Sequence, residues 1–340
     1  MHKPPMHEER SDHGISFVIP SARPDRFLRS ILQELSSQAP KAPCPVELLV
    51  VLDTETPDPE SLATSCAGYA RAAALSVLAT SGRAGPATAR NLGAKRARYR
   101  HVCFLDDDVV PEADFVSHLA RAVPKHEKEA VMCRVVHHPD LLRVREARLF
   151  RSTWLGLPDR LSTYEDGAAL DWRQMLTCAL MIGRDTFLRA GMLSEQFHQA
   201  HYEDLDFAVR LHDLGGTVRL AGHAIGKHYN FRTPIEYLSW SVRNGYWKWV
   251  FSVTHPSRAS DVLWVTRHPI GRVHLMDMVL TDADRSALQE TLAVLGSQET
   301  LPTAEQRTFD EALTRLALDA ESRSFVRTSE EHSLAKKRSA

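Results

Sequence analysis

No stretch of this sequence approaches the roughly 18 uninterrupted apolar residues that a membrane-crossing helix requires. The polar opening segment "MHKPPMHEERSDHG" also lacks the apolar region of a secretory signal. The expectation is a soluble, cytoplasmic chain, with peripheral contact at the inner face of a membrane left open. Cysteine is sparse. The five present, Cys44, Cys66, Cys103, Cys133 and Cys178, are odd in number, widely spread and free of any CxxC pair, which argues against a disulfide framework and a zinc knuckle. Charge of either sign is not in excess: 42 Lys and Arg stand against 43 Asp and Glu, for a formal net charge of -1. Nothing therefore favours a general attraction to nucleic acid, and a charged partner must be met by a local site. Internal repeats and low-complexity tracts are absent.

What the 340 residues do contain is enough chain for a full core, as one decorated domain or as two. "ISFVIP" (15–20), "VELLVVLD" (46–53), "LSVLA" (75–79) and "HVCFL" (101–105) are short continuous apolar runs, the pattern of strands buried on both faces of a parallel sheet. Helical segments separate them, one opening at Pro24 and Asp25 and reaching about 37, another opening at Gly85 and Pro86 and reaching about 98. Alternating strands and helices predict an open α/β sheet of nucleotide-binding type, whose ligands sit beyond the carboxyl ends of its strands. After Pro111 the alternation loosens: a helix near 112–122, a strand over 130–136, an Arg-rich stretch to about 173, a strand within 176–183, a short helix over 184–190, a helix from Glu203 and a strand over 217–222. Beyond 256 only helical patterns occur, among them 283–295 and 303–318. The expected organisation is a disordered 1–13, an α/β domain over 14–255 with halves 14–110 and 111–255, a helical extension over 256–330 and a disordered tail over 331–340.

The stretch "FLDDDVVPE" runs a buried strand into three like charges at the sheet's ligand edge, an arrangement that repulsion and desolvation both oppose. A solvated acidic turn would account for it. So would a cation: in an extended segment Asp106 and Asp108 face one way and Asp107 the other, and two carboxylates on one side can hold a hard divalent ion that also takes phosphate oxygens. "TSGRAGPATARNLG" places Gly82 and Gly85 before a helix whose first amides can meet an anion, with Arg83 and Arg90 adding charge; Ala89, Leu92, Gly93 and Ala97 share a small face, and Arg90 and Asn91 lie off it. In "YEDLDFAVRLHDLGG", stepping about 100° per residue groups Phe207, Ala208, Leu211 and Leu214 with Asp204 on an inward arc. Glu203, Asp206, Arg210 and Asp213 fall on the polar side, with Asp206 pairing Arg210. Asp204 is thereby nominated as a general base. His223 and His228, in a loop after the last strand, compete with His198 and His201 as a third metal ligand. The helix over 234–251 is apolar nearly all round, and its Trp240, Trp247 and Phe251 stripe is either core or a sugar or lipid contact.

Taken in order, Asp53 after the second strand, "GPATARNLG", "FLDDDVVPE" and "YEDLDFAVRL" resemble glycosyltransferase family 2, inverting enzymes of the GT-A fold, over about residues 14–250. The resemblance implies a GT-A type, Rossmann-like, mixed and mainly parallel sheet with a C-terminal helical extension. It implies that Asp53 contacts the base of a nucleoside-diphosphate sugar donor, that Asp106 lies by the ribose or metal, and that Asp108 binds Mn²⁺ or Mg²⁺ on the diphosphate. Asp204 would be the catalytic base, and His228 the histidine that helps hold metal or diphosphate. Pro20, Ser21, Arg23, Gly85, Arg90 and Asp107 complete the implied donor site, although "VIPSARPDR" departs from the Pro-Thr-Tyr or Pro-Thr-Arg ending of many members. Glu203, Arg83, Asn91 and Trp240 stand in a second rank. The acceptor, whether glycan, lipid-linked glycan, natural product or peptide, is not specified, and the C-terminal helices are candidates for self-association.

Rival readings are a sugar-phosphate nucleotidylyltransferase, which "PSARPDR" does not favour because it lacks a glycine-rich first loop, and a haloacid dehalogenase type phosphatase, whose aspartate would end the first strand. A non-catalytic nucleotide-sugar-binding partner protein would share the fold.

Overall fold

The computed structural model describes residues 13–24, 26–144, 147, 161–259 and 303–339. They fall into two compact units, one built from residues up to 138 with 157–229, the other from 139–156 with 230–340. The helix that sequence groups with the sheet, over 234–251, thus goes with the C-terminal chain. The expectations for the first 12 residues and for a helix over 283–295 lie outside the described residues.

In the first unit the apolar runs become four parallel strands, β1 (Ile15–Ser21), β2 (Val46–Leu52), β3 (Ala74–Ala79) and β4 (His101–Leu105). The helices α1 (Arg26–Gln38), α2 (Pro59–Cys66) and α3 (Pro86–Arg96) cross between them. α1 buries Phe27, Leu28, Ile31, Leu32 and Leu35, a spacing of three and four residues that turns one face to the sheet. The strand order is β3-β2-β1-β4-β8-β6-β9-β5. The chain builds outward from β1 to β3 and then returns to the other side of β1 with β4. That reversal opens a crevice at the carboxyl ends of β1 and β4, where Ser21 and Asp106 stand.

The second half of the unit completes a mixed sheet. After β5 (Val109–Pro111) and α4 (Phe115–Arg121), β6 (Glu129–His137) and β7 (Ala169–Leu170) follow, then β8 (Ala179–Gly183), α5 (Arg184–Arg189), α6 (Glu203–Asp213) and β9 (Thr217–His228). β8 lies antiparallel between β4 and β6, whereas β9 runs parallel to β6. β9 is twice as long as the run that sequence marks out, so His223 and His228 are strand residues and not loop residues. The early stop at Gly222 marks an irregularity: pairing jumps from Cys133 opposite Ala221 to Arg134 opposite Ile225. Arg134 holds it by donating to the carbonyls of Gly222 (3.0 Å), Leu161 and Tyr164 (both 2.6 Å).

The second unit pairs α7 (Pro234–Thr254) with α8 (Thr303–Ser339). Thr233 and Glu236 cap α7 reciprocally. Gly245 lets the two backbones meet, since a Cβ there would lie 2.1 Å from the Glu321 carbonyl oxygen. Beside it Lys248 and Glu321 form a buried ion pair, and Asn244 Nδ2 donates to Glu321 at 2.9 Å. Leu238, Trp247 and Phe251 are buried, whereas Tyr246 is exposed. α8 corrects the expectation of a disordered tail over 331–340, because it continues to Ser339. Its Glu, Ala and Lys content favours helix, and an Arg327–Glu331 pair at 2.8 Å supports the turn where the lysines begin.

The small face of α3 is what seats the site's helix on the sheet. A Cβ at Gly93 would lie 2.3 Å from Val18 Cγ1, so Gly93→Ala is expected to cost about 1–3 kcal/mol by overpacking. Urea unfolding measures it, and Val18→Ala in the same chain should recover part of the loss.

Candidate active site

The three aspartates do not lie in extended chain. Asp106 ends β4, and a tight turn follows in which the Val109 amide donates to the Asp106 carbonyl at 3.0 Å. The alternation expected for Asp106, Asp107 and Asp108 therefore fails, and the three side chains go to three partners. Asp106 Oδ1 accepts from Arg90 Nη2 at 2.6 Å. Asp107 Oδ2 accepts from the Ser21 hydroxyl at 2.5 Å, which ties the end of β1 to the turn. Asp108 Oδ1 lies 3.3 Å from His228 Nε2, at the point where the Tyr229 amide donates to the Asp108 carbonyl at 2.9 Å. This contact puts His228 beside the aspartate turn.

Arg90 and Asn91, expected off the packed face of α3, are both buried, at 4 % and 2 % exposure. Helical geometry did not foresee this because the helix packs on more than the sheet. Asn91 Nδ2 donates to the Leu193 carbonyl (2.9 Å) and to Glu195 (3.0 Å), and its oxygen accepts from the Leu193 amide (3.0 Å). Arg90 reaches across to Glu203 Oε1 at 3.4 Å. The start of α6 is correspondingly reversed from expectation. Glu203 and Asp206 are buried, at 3 % and 2 %, whereas Leu214 is half exposed. Asp206 does pair with Arg210, at 2.6 Å. Asp204 keeps partial exposure, and its Oδ1 accepts from the Thr177 hydroxyl at 2.5 Å.

These contacts gather one cation and three carboxylates. Burial, then the Asp204 charge, pushes the Glu203 carboxyl up to about 8, against the pull of Arg90. Asp204 is raised as well, by burial and by Asp106, with Arg90 and Thr177 acting the other way. Arg90 is desolvated, yet the carboxylates of Asp106, Asp204 and Glu203 outweigh that and hold it firmly protonated.

Asp53 sits at the end of β2 with both oxygens engaged. Oδ1 accepts from the Ala84 amide (2.7 Å) and the Thr80 hydroxyl (2.8 Å), and Oδ2 from the Gly85 amide (2.9 Å). Asp53 thus anchors the 80–85 loop. Gly85 has φ +98°, and a Cβ there would lie 2.3 Å from the His198 carbonyl oxygen, so the loop closes against the segment before α6 only with glycine. Pro20 is half-buried at the end of β1, and Arg23 and Arg83 are exposed. Trp240 lies in the second unit, stacked on Tyr237 with the Arg232 guanidinium 5.2 Å from its ring centre. Sequence missed Thr177 and Cys178, read as the opening of a strand; the Asp106 amide donates to the Cys178 carbonyl at 2.9 Å. A threonine just before an apolar run carried no signal of this role.

Among the described residues no group of three or more His, Cys, Asp and Glu stands ready to hold a metal ion. Asp108 and His228 nevertheless suit a hard divalent cation that takes its other ligands from water and phosphate, which one or two protein groups suffice to hold. Asp106 would contribute only while sharing its carboxylate with Arg90.

The mixed, mostly parallel sheet flanked by helices is that of the GT-A fold. Residues 16–179, just under half of the chain, match the model described as "Glycosyl transferase family 2" and form a domain of that family. No curated protein matches the chain. Solved structures similar in fold include TarS of S. aureus, at TM-score 0.53 and 13 % identity over 92 % of this chain and 55 % of that one. The present chain thus spans about half of that protein. Another is the mannosyltransferase PcManGT from Pyrobaculum calidifontis in complex with GDP-Man and Mn²⁺, at TM-score 0.54 and 15 % identity over 93 % of this chain and 87 % of that one. No helix among the described residues is long and apolar enough to cross a membrane.

A proton on Glu203 in the folded state has a thermodynamic signature. Its pKa is raised from the ordinary 4.5 to about 8, so the folded state binds more protons across that window and stability falls as pH rises through it. The loss is on the order of a few kcal/mol, complete above the folded value and absent below the unfolded one. Thermal unfolding of Glu203→Gln should lack this component, so its melting temperature relative to the wild type rises between pH 5 and pH 8.5.

Proposed function

We propose that the chain is a metal-dependent, inverting glycosyltransferase that moves a sugar from a nucleoside-diphosphate sugar to an acceptor hydroxyl or amine, with Asp204 as base. The observation that carries this reading is Asp204 itself. It is a partly exposed carboxylate of raised pKa, oriented by Thr177, in the same cluster as the Asp106 that ends β4. A base draws a proton more strongly as its pKa rises, and burial raises that of Asp204. Thr177 orients the carboxylate, which takes the acceptor's proton as its nucleophile attacks the anomeric carbon opposite the leaving group. Glu203, holding a proton of its own, keeps a second negative charge from building beside Asp204. Arg90 sets the Asp106 carboxylate at the crevice without itself needing solvent.

On the donor side, Ser21 and Asp107 lie on the rims of β1 and β4, and the 80–85 loop pinned by Asp53 presents the head of α3 to the diphosphate. Asp108 and His228 would hold Mn²⁺ or Mg²⁺, with Asp106 as a shared ligand. When bound, such an ion supplies positive charge where the departing diphosphate gains negative charge. The diphosphate would complete the ion's ligand set, in keeping with the two-ligand character of the protein's part.

The test separates binding from chemistry. Asp204→Asn should bind nucleoside diphosphate with Mn²⁺ as the wild type does and lose at least about 10²-fold in donor hydrolysis or transfer. Asp108→Ala should lose the Mn²⁺-dependent thermal stabilisation that nucleoside diphosphates give the wild type. Equal turnover in Asp204→Asn and wild type removes the base assignment, and a wild type that binds donor with no turnover against any acceptor or water favours the non-catalytic binding protein.

A further inference from the structure

The strands that carry the aspartates at one end carry a basic concavity at the other. A cavity of about 310 Å³ is lined by residues 98–101, which lead into β4, by 124–127 before β6, and by 183–186 and Arg189 at the end of β8 and along α5. Five permanent cations, Arg98, Arg100, Lys125, Arg184 and Arg189, meet two carboxylates there, Glu127 and Asp185. In a chain of net charge -1 that local excess is not inherited from composition.

Both carboxylates are already spoken for. Glu127 pairs with Arg189, and Asp185 lies 3.4 Å from Arg184. Arg184 also donates to the carbonyls of Ala94 (3.0 Å) and Lys95 (3.2 Å), so it is a buried strut that positions the wall. Arg98, Arg100 and Lys125 are exposed, and among the described residues none has a carboxylate in ion-pair range. His101 and His126 stand among them on the lining, and burial, then the Arg100 charge, disfavours a proton on the His101 ring. Three unpaired cations at one concavity repel one another in the empty state. An anion bearing more than one negative charge reverses that, and guanidinium forks match the oxygens of a phosphate group, which can carry two such charges.

The location separates this cavity from the donor crevice. β4 runs from His101, on the cavity lining, to Leu105, next to Asp106. The five residue steps from His101 to Asp106 place the two roughly 16 Å apart, at opposite ends of the strand. The volume lies at the lower limit of small-molecule sites, which run from roughly 300 Å³ upward, and suits a phosphate group with little else attached.

We propose that this cavity is a second anion site, which takes a phosphate group carrying two or more negative charges through Arg98, Arg100 and Lys125. The phosphate belongs either to a small soluble ester or to an acidic lipid headgroup, and the two share this chemistry.

The experiment is calorimetric titration of the full chain with pyrophosphate in buffer containing a metal chelator, followed by proton–carbon spectra of the histidine rings. The expected result is binding without metal, with the ring signals of His101 and His126 shifting on saturation. Affinity should fall about tenfold or more in Arg98→Ala/Arg100→Ala and measurably in Lys125→Ala, and stay at the wild-type value in Asp108→Ala. All these side chains but Asp108 are exposed, and far-ultraviolet circular dichroism checks the fold of each variant. Should the double variant fail to fold, Lys125→Ala alone carries the comparison. Absence of binding, binding that survives the Arg98/Arg100 double variant, or binding that requires Asp108 overturns the proposal. Sedimentation with phosphatidic acid and with phosphatidylcholine vesicles then identifies the source. Charge-selective capture lost in the double variant assigns a headgroup phosphate, and pyrophosphate binding without capture assigns a soluble ester.

Discussion

Arg90 is a guanidinium taken almost wholly out of water, and the site is arranged around what that costs. Stripping a cation of solvent is unfavourable by several kcal/mol unless carboxylates replace the water. Arg90 obtains them from two distant parts of the chain: Asp106 at the end of β4 and Glu203 at the head of α6. Its Nε remains without a hydrogen-bond partner, so even this replacement is incomplete. The interaction is therefore less a source of stability than a constraint of position. α3, β4 and α6 must stand where they do, or a charge is left buried and unpaired. With one cation among Asp106, Glu203 and Asp204, burial pushes the Glu203 carboxyl up to about 8 and raises Asp204 as well.

The same logic explains why the donor side is built from backbone as much as from side chains. Asp53 spends its carboxylate on the amides of Ala84 and Gly85 and on Thr80, and thereby fixes the entry to α3, the helix that carries Arg90. Gly85 admits the segment before α6 at a distance no side chain would allow, and Gly93 admits the sheet on the other side of the helix. Asn91 joins α3 to residues 193–195 through three hydrogen bonds. α3 is thus clamped on each flank before any ligand arrives. That preorganisation is what positions charge for a reaction whose catalysis is mostly neutralisation and orientation.

The first half of the sheet was legible because a strand buried on both faces leaves a mark that needs no partner to interpret: β1, β2 and β4 read directly as apolar runs. The fold class, and the residues nominated from the ordered motifs, followed from their sequence at the ligand edge. What sequence could not give was which side of an element faces what. On α6 the apolar arc put Asp204 inward and Glu203 outward, whereas a buried arginine from another helix drew Glu203 in. On α3 the small face was found, but the burial of Arg90 and Asn91 depends on residues more than 100 positions away. The aspartate turn failed for a local reason, since three aspartates before valine are as compatible with a turn as with a strand. β9 failed because glycine reads as a stop, although here Gly222 sits at a register shift held by Arg134.

Position of charge also distinguishes the two edges of the sheet. At the carboxyl edge, carboxylates outnumber cations, and the surplus is relieved by a proton on Glu203 and, in the proposed reaction, by a divalent ion. At the amino edge, around His101, cations outnumber carboxylates, and no bound proton can relieve that, because arginine and lysine do not release theirs near neutral pH. The two imbalances therefore call for ligands of opposite sign. A polyanion drawn to the first edge must bring its own cation or find one there, whereas a polyanion at the second needs none. This difference in metal dependence follows from side-chain chemistry alone, and it allows occupancy of the two edges to be told apart in one and the same protein.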